Sequence, residues 1–191
     1  MNLMTPDAGL RSTPTTETAK ATVDILFYGI GHCAMGKVLI ARSAQGVCAL
    51  LLGNDPNELE TDLADRFPKS TLVSNGVTVR DDLIKIVRFV DKPSDRLDLT
   101  LDMRGTPLQR RVWEKIRAIP AGKTVSYMHL ARLINCVYPQ TSARVVANAC
   151  AANPITLAIP CHRVIRSDYE LAGYRWGLER KRELLRKEAV I

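Results

Sequence analysis

The sequence predicts an α+β protein of two domains, a small antiparallel sheet with helices followed by a mostly helical half. Near the N-terminus, three apolar or β-branched runs separated by glycines are typical of strands joined by tight turns, over residues 24–31, 37–42 and 46–52. In the second half, apolar side chains recur instead at helical spacing. The chain has 191 residues, 46% hydrophobic and 25% charged, which excludes disordered, collagen-like and membrane-spanning classes.

The N-terminal half carries two helix signals after these strands. Asp55-Pro56 supplies an N-cap and a proline at the first helical position, and this helix is predicted to end near Phe67. Thr78 is predicted to begin a second helix. Its apolar residues at helical spacing are Leu83, Ile84, Val87 and Val90. Residues 1–22, which contain no apolar signal segment, are predicted to be a disordered tail.

A polar, proline-containing stretch, Lys92 to Arg96, is predicted to link the two domains. The first domain then covers residues 23–96 and the second residues 97–191. Leucines alternate with other residues just after the linker, which predicts one further strand. These leucines are Leu97, Leu99 and Leu101.

Three helix starts are recognisable in the second domain. Thr106-Pro107 begins one helix, and Ser126 caps a second that runs from Tyr127 to Ile134. Either Thr141 or Ser142 caps a third, which is rich in alanine. The last two helices, joined by a turn, form a helix-turn-helix pattern.

The final helix is predicted from Gly177 to Val190, with Leu178, Leu184 and Leu185 facing inward. Its basic side chains are predicted to face outward. They are Arg180, Lys181, Arg182, Arg186 and Lys187.

The formal charge of +7 is concentrated in the second half. Residues 1–100 hold 11 Lys and Arg against 13 Asp and Glu, a net charge of −2, whereas residues 101–191 hold 16 against 7, a net charge of +9. A basic half indicates a polyanionic partner, with nucleic acid first, although a solvated surface without a partner would have the same composition.

The chain has five cysteines, an odd number, and no two have the spacing Cys-x-x-Cys. They are Cys33, Cys48, Cys136, Cys150 and Cys161. This pattern predicts neither a disulfide framework nor a metal site, and we expect no cofactor. Free cysteines are typical of a reducing compartment, so we expect a cytoplasmic protein.

The sharpest chemical signal is the string Pro160-Cys161-His162-Arg163-Val164, which follows an apolar run from Ile155 to Ile159. A cysteine beside a histidine in a basic setting could be held as thiolate, the nucleophilic form. Adjacent residues of an extended segment point to opposite faces, so a water molecule or a local turn is needed to connect the two side chains. An isolated Cys-His pair would equally suit a buried cysteine next to a surface histidine.

Other motifs accompany this string. In chain order they are Arg104-Gly105-Thr106, Pro120 to Tyr127, Ala149 to Asn153, Ile159 to Val164, Gly173 to Gly177, Arg180-Lys181 and Leu184-Leu185-Arg186. With them the sequence resembles the O6-alkylguanine-DNA alkyltransferase family, most closely the alkyltransferase part of bacterial adaptive-response proteins, over about residues 24–190. The resemblance implies a ribonuclease-H-like first domain and a winged-helix-like second domain that binds DNA and carries the reactive site.

The resemblance implies irreversible, stoichiometric DNA repair without a cofactor. Family members transfer the alkyl group of O6-methylguanine to their own cysteine, which Cys161 matches. His162 matches a base that acts through bound water, Glu188 the acid that orients it, and Tyr127 the residue that protonates the departing guanine. The implied partner is double-stranded DNA containing O6-alkylguanine. The protein is expected to be a monomer near the nucleoid, with no membrane contact.

The resemblance also implies how the lesion is reached. The base must leave the duplex, and family members extrude it with a helix-turn-helix in the minor groove. Arg144 matches the arginine that replaces the base in the stack, and Ser142, Ala143 and Val145 flank it at the DNA surface. The residues matched to the pocket and its support are Asn153, Pro160, Val164, Tyr174 and Arg175.

Three departures from the family pattern bear on DNA docking and pocket entry. About three extra residues stand before Arg144, within 135–140, and Val145 replaces the usual alanine. The loop after the reactive string has Asp168-Tyr169-Glu170 without the usual glycine. These departures would allow a module that recognises alkylated DNA without transfer. A cysteine hydrolase that uses Cys161 and His162 is a further alternative, although the sequence shows no oxyanion-type motif.

Overall fold

The computed structural model describes residues 23–93, 96–135, 141–171 and 173–190, and within them the predicted α+β class is confirmed. The tail predicted over residues 1–22 and most of the loop with extra residues lie outside the described residues. No described helix has the length and apolar character needed to cross a membrane.

The larger sheet has four strands in the order β3-β2-β1-β4. They are β1 (Ile25–Cys33), β2 (Gly36–Ser43), β3 (Gly46–Gly53) and β4 (Thr71–Ser74). The first three confirm the predicted strands and pair antiparallel. β4 pairs parallel with β1, so the sheet is mixed where the sequence predicted an antiparallel one. A run of four residues is at the lower limit of a strand signal, and the helix between β3 and β4 lets the chain return in parallel.

Two helices, α1 (Pro56–Arg66) and α2 (Arg80–Asp91), pack against this sheet. The start of α1 is confirmed, because the Asp55 carboxylate accepts a hydrogen bond from the second helical N–H at 2.8 Å. α2 begins two residues after the predicted start at Thr78, since residues 76–79 form a turn.

The strand predicted over Leu97, Leu99 and Leu101 is wrong. In this described stretch only Leu101 forms a β-bridge, with Val47 near the beginning of β3. The Val47 N–H donates to the Thr100 carbonyl at 2.8 Å, and the chain then leaves the sheet. The alternation of leucines instead reflects packing, because Leu99 is buried against the core.

The C-terminal half contains four described helices. They are α3 (Pro107–Arg117), α4 (Tyr127–Asn135), α5 (Ala143–Ala151) and α6 (Leu178–Lys187). Thr106, Ser126 and Ser142 each accept a hydrogen bond from the backbone N–H three residues later, which confirms the predicted starts and makes Ser142 the cap of α5. Trp113 of α3 donates its indole N–H to the Ala149 carbonyl of α5 at 2.8 Å and so joins the helix pair to the core.

Two backbone connections position the reactive string. β5 (Val125–Ser126) pairs parallel with β6 (Val164–Ile165), which brings the start of α4 beside the end of the string. Leu50 of β3 donates its N–H to the Pro154 carbonyl at 2.8 Å and accepts from the Thr156 N–H at 3.1 Å. The segment leading into the string is therefore attached to the N-terminal sheet, and its end to the helix-turn-helix.

The inward face of α6 differs from the prediction. Leu184 and Leu185 are buried as predicted, but Leu178 is 42% exposed and Lys181 is fully buried. Lys181 stands three and four residues before the two buried leucines and therefore shares their face. Its ammonium remains satisfied because it donates to the Val164 carbonyl at 2.7 Å.

Tyr169, in the loop that lacks the usual glycine, has a φ of 64° and is 82% exposed. A left-handed backbone costs a residue with a Cβ roughly 1–2 kcal/mol, whereas glycine in the unfolded chain costs about 0.5–1 kcal/mol of entropy. Tyr169→Gly should therefore raise the free energy of unfolding by about 0.5–1 kcal/mol, as measured by urea denaturation.

Tyr169→Ala is the matched control. It removes the same exposed ring but keeps a Cβ at the same φ, so the free energy of unfolding should change little. An equal gain from alanine would mean that the ring, and not the backbone, is the source of strain.

Candidate active site

Cys161 begins a short 3₁₀ turn, Cys161–Arg163, directly after Pro160. Its side chain is 5% exposed and lines a cavity of about 580 Å³. The Asn153 side-chain amide donates to Cys161 Sγ at 3.4 Å and to the Ile159 carbonyl at 3.0 Å. Asn153 therefore braces the turn that presents the thiol.

His162 lies behind the cavity and is fully buried. Its Nε2 is 2.9 Å from Glu188 Oε1. An ionised carboxylate can only accept, so Nε2 carries the proton and Nδ1 keeps a free lone pair. Among the described residues His162 Nδ1 is buried without a hydrogen-bond partner. The 3₁₀ turn thus points the thiol and the imidazole in different directions, and no direct hydrogen bond joins them.

Glu188, just after α6, also forms an ion pair with the Arg163 guanidinium. Arg163 Nη2 donates to Oε1 at 2.8 Å, and Arg163 Nε donates to Oε2 at 3.0 Å. The two side chains are 1% and 0% exposed. The backbone N–H of Gly122 adds a longer contact to Oε2 at 3.4 Å. The carboxylate that holds His162 is therefore itself held by a buried positive charge.

Burial and these hydrogen bonds determine the charge states of the site. Burial raises the pKa of the Cys161 thiol, although the Asn153 hydrogen bond acts in the opposite direction. Burial lowers the pKa of His162, although Glu188 acts to raise it. Burial alone would raise the pKa of Glu188, but hydrogen bonds from His162 and Arg163 together lower it to about 2. At neutral pH the free protein therefore holds a thiol, not the thiolate suggested by the sequence, beside a neutral imidazole.

The cavity brings together Cys161 and five other residues singled out in the sequence. These are Tyr127, Ala143, Arg144, Tyr174 and Arg175. Burial raises the pKa values of Tyr127 and Tyr174, so both keep their phenolic protons near neutral pH. Arg144 is exposed on α5. With Arg166, which also lines the cavity, a thiol, two phenols and three guanidinium groups share one opening.

The remaining singled-out residues do not line this cavity. Ser142 caps α5 and Val145 is half-buried on it, while Pro160 and Val164 are buried in the wall behind. His162, Glu188 and Asn153 are likewise buried and do not line the cavity. The residues predicted for the site therefore fall into two groups, those on the cavity surface and those buried outside the cavity lining or placed beside it on α5.

Four polar or charged side chains around the site were given no role from the sequence. Cys150 and Arg166 line the cavity, Arg163 pairs with Glu188, and Lys181 donates to the Val164 carbonyl. Lys181 could have been found, since it shares the helical stripe of Leu184 and Leu185. No three His, Cys, Asp or Glu side chains gather as a metal site would require within the part of the chain that the structure describes.

Known proteins share both the sequence and this fold. The family model of the 6-O-methylguanine DNA methyltransferase DNA-binding domain matches residues 107–190. The bifunctional transcriptional activator/DNA repair enzyme Ada of Escherichia coli is 41% identical over 162 residues, 85% of this chain. The methylated-DNA–protein-cysteine methyltransferase of Candida albicans is 35% identical over 86% of this chain and 97% of its own length.

The chain spans 45% of the length of two Ada proteins that it matches. Among solved structures, the Mycobacterium tuberculosis O6-methylguanine methyltransferase has a TM-score of 0.67 and 30% identity, over 85% of this chain and 92% of that one. The M. tuberculosis protein in complex with DNA has a TM-score of 0.68, 29% identity and the same coverage. The chain therefore belongs to the methylated-DNA–protein-cysteine methyltransferase family.

Proposed function

We propose that the protein repairs DNA by direct reversal, taking the alkyl group of O6-alkylguanine in duplex DNA onto Cys161 Sγ. The observation that carries this proposal is the arrangement of Cys161 at the cavity surface with the His162–Glu188 pair behind it. A nucleophile, a base and a group that orients the base are the parts that nucleophilic transfer requires.

The proton path follows from the tautomer of His162. Nε2–H donates to Glu188, so the buried Nδ1 is the atom available to accept a proton. Because the thiol and the ring do not touch, we propose that one water molecule carries the Cys161 proton to Nδ1. Arg163 stabilises the carboxylate, which in turn stabilises the imidazolium as it forms.

Bond formation and cleavage then occur at the alkyl carbon. Sγ bonds to that carbon in line with the C–O6 bond, which breaks and leaves its electron pair on guanine. Tyr127 donates its hydroxyl proton to the departing guanine, and the imidazolium proton then restores the phenol. The net change moves one proton from the thiol to guanine and leaves a thioether on Cys161. A thioether is a poor leaving group, so each chain reacts once.

The lesion lies within a stacked duplex, so we propose that the guanine is flipped into the cavity. Arg144 stands on the exposed side of the cavity and would fill the gap in the stack, with Ser142, Ala143 and Val145 beside it. The basic second half supplies phosphate affinity. Double-stranded DNA with O6-alkylguanine is the proposed partner of a monomeric protein in the cytoplasm, near the nucleoid.

Incubation with a methylated duplex, followed by intact mass analysis of the protein, tests this function. A stable gain of one methyl group per chain supports direct reversal. Binding without any mass change would indicate a recognition module, and repeated turnover would indicate a hydrolase or another true catalyst. Either of these two outcomes would overturn the proposal.

Replacing Arg144 by alanine should slow repair of duplex lesions by roughly 10- to 100-fold, because base extrusion costs a few kcal/mol and the gap would stay unfilled. Reaction with free O6-alkylguanine, which needs no extrusion, should proceed nearly as in the parent. The comparison is made by measuring both rate constants under the same salt conditions. An equal loss of rate on the two substrates would mean that Arg144 supports the cavity or the fold and does not replace the extruded base in the stack.

A further inference from the structure

The wall of the cavity around Tyr174 is held from the N-terminal half of the chain. Gly173, Tyr174 and Arg175 line the cavity, and the segment ends at Trp176 and Gly177 before α6. Nothing within this short segment is helix or strand. Its conformation therefore depends on what the side chains contact.

The inner anchor is the Tyr174 phenol. Its hydroxyl is 2.8 Å from Thr156 Oγ1, and the Tyr174 carbonyl accepts from the Gly177 N–H at 2.9 Å. Thr156 in turn bonds to Leu50 of β3 through its backbone. The phenol therefore rests against a segment that is attached to the sheet.

The outer anchor is Asp62 on α1. Asp62 Oδ1 accepts from Arg175 Nη2 at 2.6 Å and from Arg66 Nε at 3.2 Å. The two guanidinium groups lie 5.7 and 5.8 Å from the Trp176 ring, which is 7% exposed. One carboxylate thus gathers two arginines and a tryptophan into a single cluster (Asp62, Arg66, Arg175 and Trp176). We call this set the wall clamp.

The wall clamp reaches across 113 residues of sequence to a side chain of the cavity lining. Arg175 is 44% exposed, so its ion pair with Asp62 adds little to global stability. The effect of this ion pair is on geometry, because it holds the Arg175 side chain in place next to Tyr174. Small displacements of groups that position a substrate can slow a reaction markedly even when the fold is unchanged.

We propose that Asp62 is a positioning residue for the alkylguanine cavity, which it acts on through Arg175 and Trp176, and that it determines which alkyl groups the cavity admits. This inference rests on the proposed function. With the wall clamp intact the wall is rigid and suits a small methyl group. Without the wall clamp the cavity wall around Tyr174 becomes mobile, so methyl transfer slows while bulky alkyl groups enter the cavity more readily.

The test compares Asp62→Asn with Asp65→Asn, a change of an exposed carboxylate on the same helix. Asp62→Asn should slow methyl transfer from duplex DNA by up to about 10-fold. It should also raise the ratio of benzyl to methyl transfer rates and change duplex affinity little. Asp65→Asn should leave all three quantities at the parent values.

Hydrogen exchange of residues 173–177, measured by mass spectrometry without any substrate, gives a second readout. Exchange should speed up in Asp62→Asn and not in Asp65→Asn. Arg175→Gln should slow methyl transfer in the parent and add little in the Asp62→Asn background, because both changes break the same contact.

The outcomes separate the two proposals. A parent protein that accepts no methyl group would overturn the proposed function and, with it, the role of Asp62 in alkyl-group selection. Unchanged exchange in Asp62→Asn would overturn the wall clamp, whether or not the protein reacts. Faster exchange with an unchanged benzyl-to-methyl ratio would overturn the specificity role and leave Asp62 a structural contact only.

Discussion

Replacing Cys161 by serine should abolish methyl transfer from a methylated duplex and leave duplex binding close to that of the parent. A serine hydroxyl is a much weaker nucleophile than a thiolate at neutral pH, and the neutral imidazole of His162 cannot compensate for that difference. The substitution is nearly isosteric in a buried position, and the Asn153 amide can still donate to the new oxygen. Intact mass analysis should show no methylated protein, while peptide mapping of the parent should find the methyl group on Cys161.

Cys150 provides the matched control, because it lines the same cavity and is only 9% exposed. Burial raises the pKa of Cys150, and the side-chain amide of Asn153 donates to Cys161 instead. Cys150→Ser should therefore react nearly as the parent does. A methyl group on Cys150, in either the parent or Cys161→Ser, would contradict the assignment of the acceptor.

Replacing Glu188 by glutamine should lower the free energy of unfolding by about 3–5 kcal/mol, the usual cost of leaving one partner of a buried ion pair uncompensated. The variant removes the carboxylate charge that the buried guanidinium of Arg163, which is 1% exposed, contacts. It should also slow methyl transfer, because a neutral amide stabilises the His162 imidazolium poorly. Urea denaturation at neutral pH and single-turnover kinetics measure the two effects.

Glu183→Gln on α6 is the control for this change. Glu183 is partly exposed and pairs with Arg186 at the surface, so its loss should cost less than about 1 kcal/mol. A loss from Glu188→Gln as small as that of Glu183→Gln would contradict a buried ion pair.

The cost of Glu188→Gln should also depend on pH. The pKa of Glu188 is lowered from 4.5 to about 2 in the folded protein, so its stabilising contribution is complete above pH 4.5. As pH falls from 4.5 towards 2, the unfolded state takes up the proton first and this contribution is lost. The difference in unfolding free energy between parent and Glu188→Gln should therefore shrink over that window. A difference that stays constant there would mean that the carboxylate is not the source of the stability.

Local signals in the sequence were enough for most of the secondary structure. The glycine-separated strands and the capped starts at Asp55, Thr106 and Ser142 depend on residues within a few positions of one another, and all of these starts form. The failures occur where local pattern is weak. β4 has only four residues. The leucines after residue 96 alternate because of how they pack, and they do not form the hydrogen-bonded ladder of a strand.

For the site, the sequence by itself pointed to the reactive string, to Asn153 and to Tyr127 and Tyr174, because each stands in a short motif. The sequence did not determine which charged side chains are buried. The sequence predicted that Lys181 faces outward, and Glu188 has no local sign of burial, yet both are buried. The helical stripe of Leu184 and Leu185 includes Lys181, but only the tertiary structure shows which distant groups satisfy the two buried charges. Arg163 satisfies Glu188 in this way, and the Val164 carbonyl satisfies Lys181, while Asp62 pairs with the partly exposed Arg175. No local pattern of the sequence encodes these pairings.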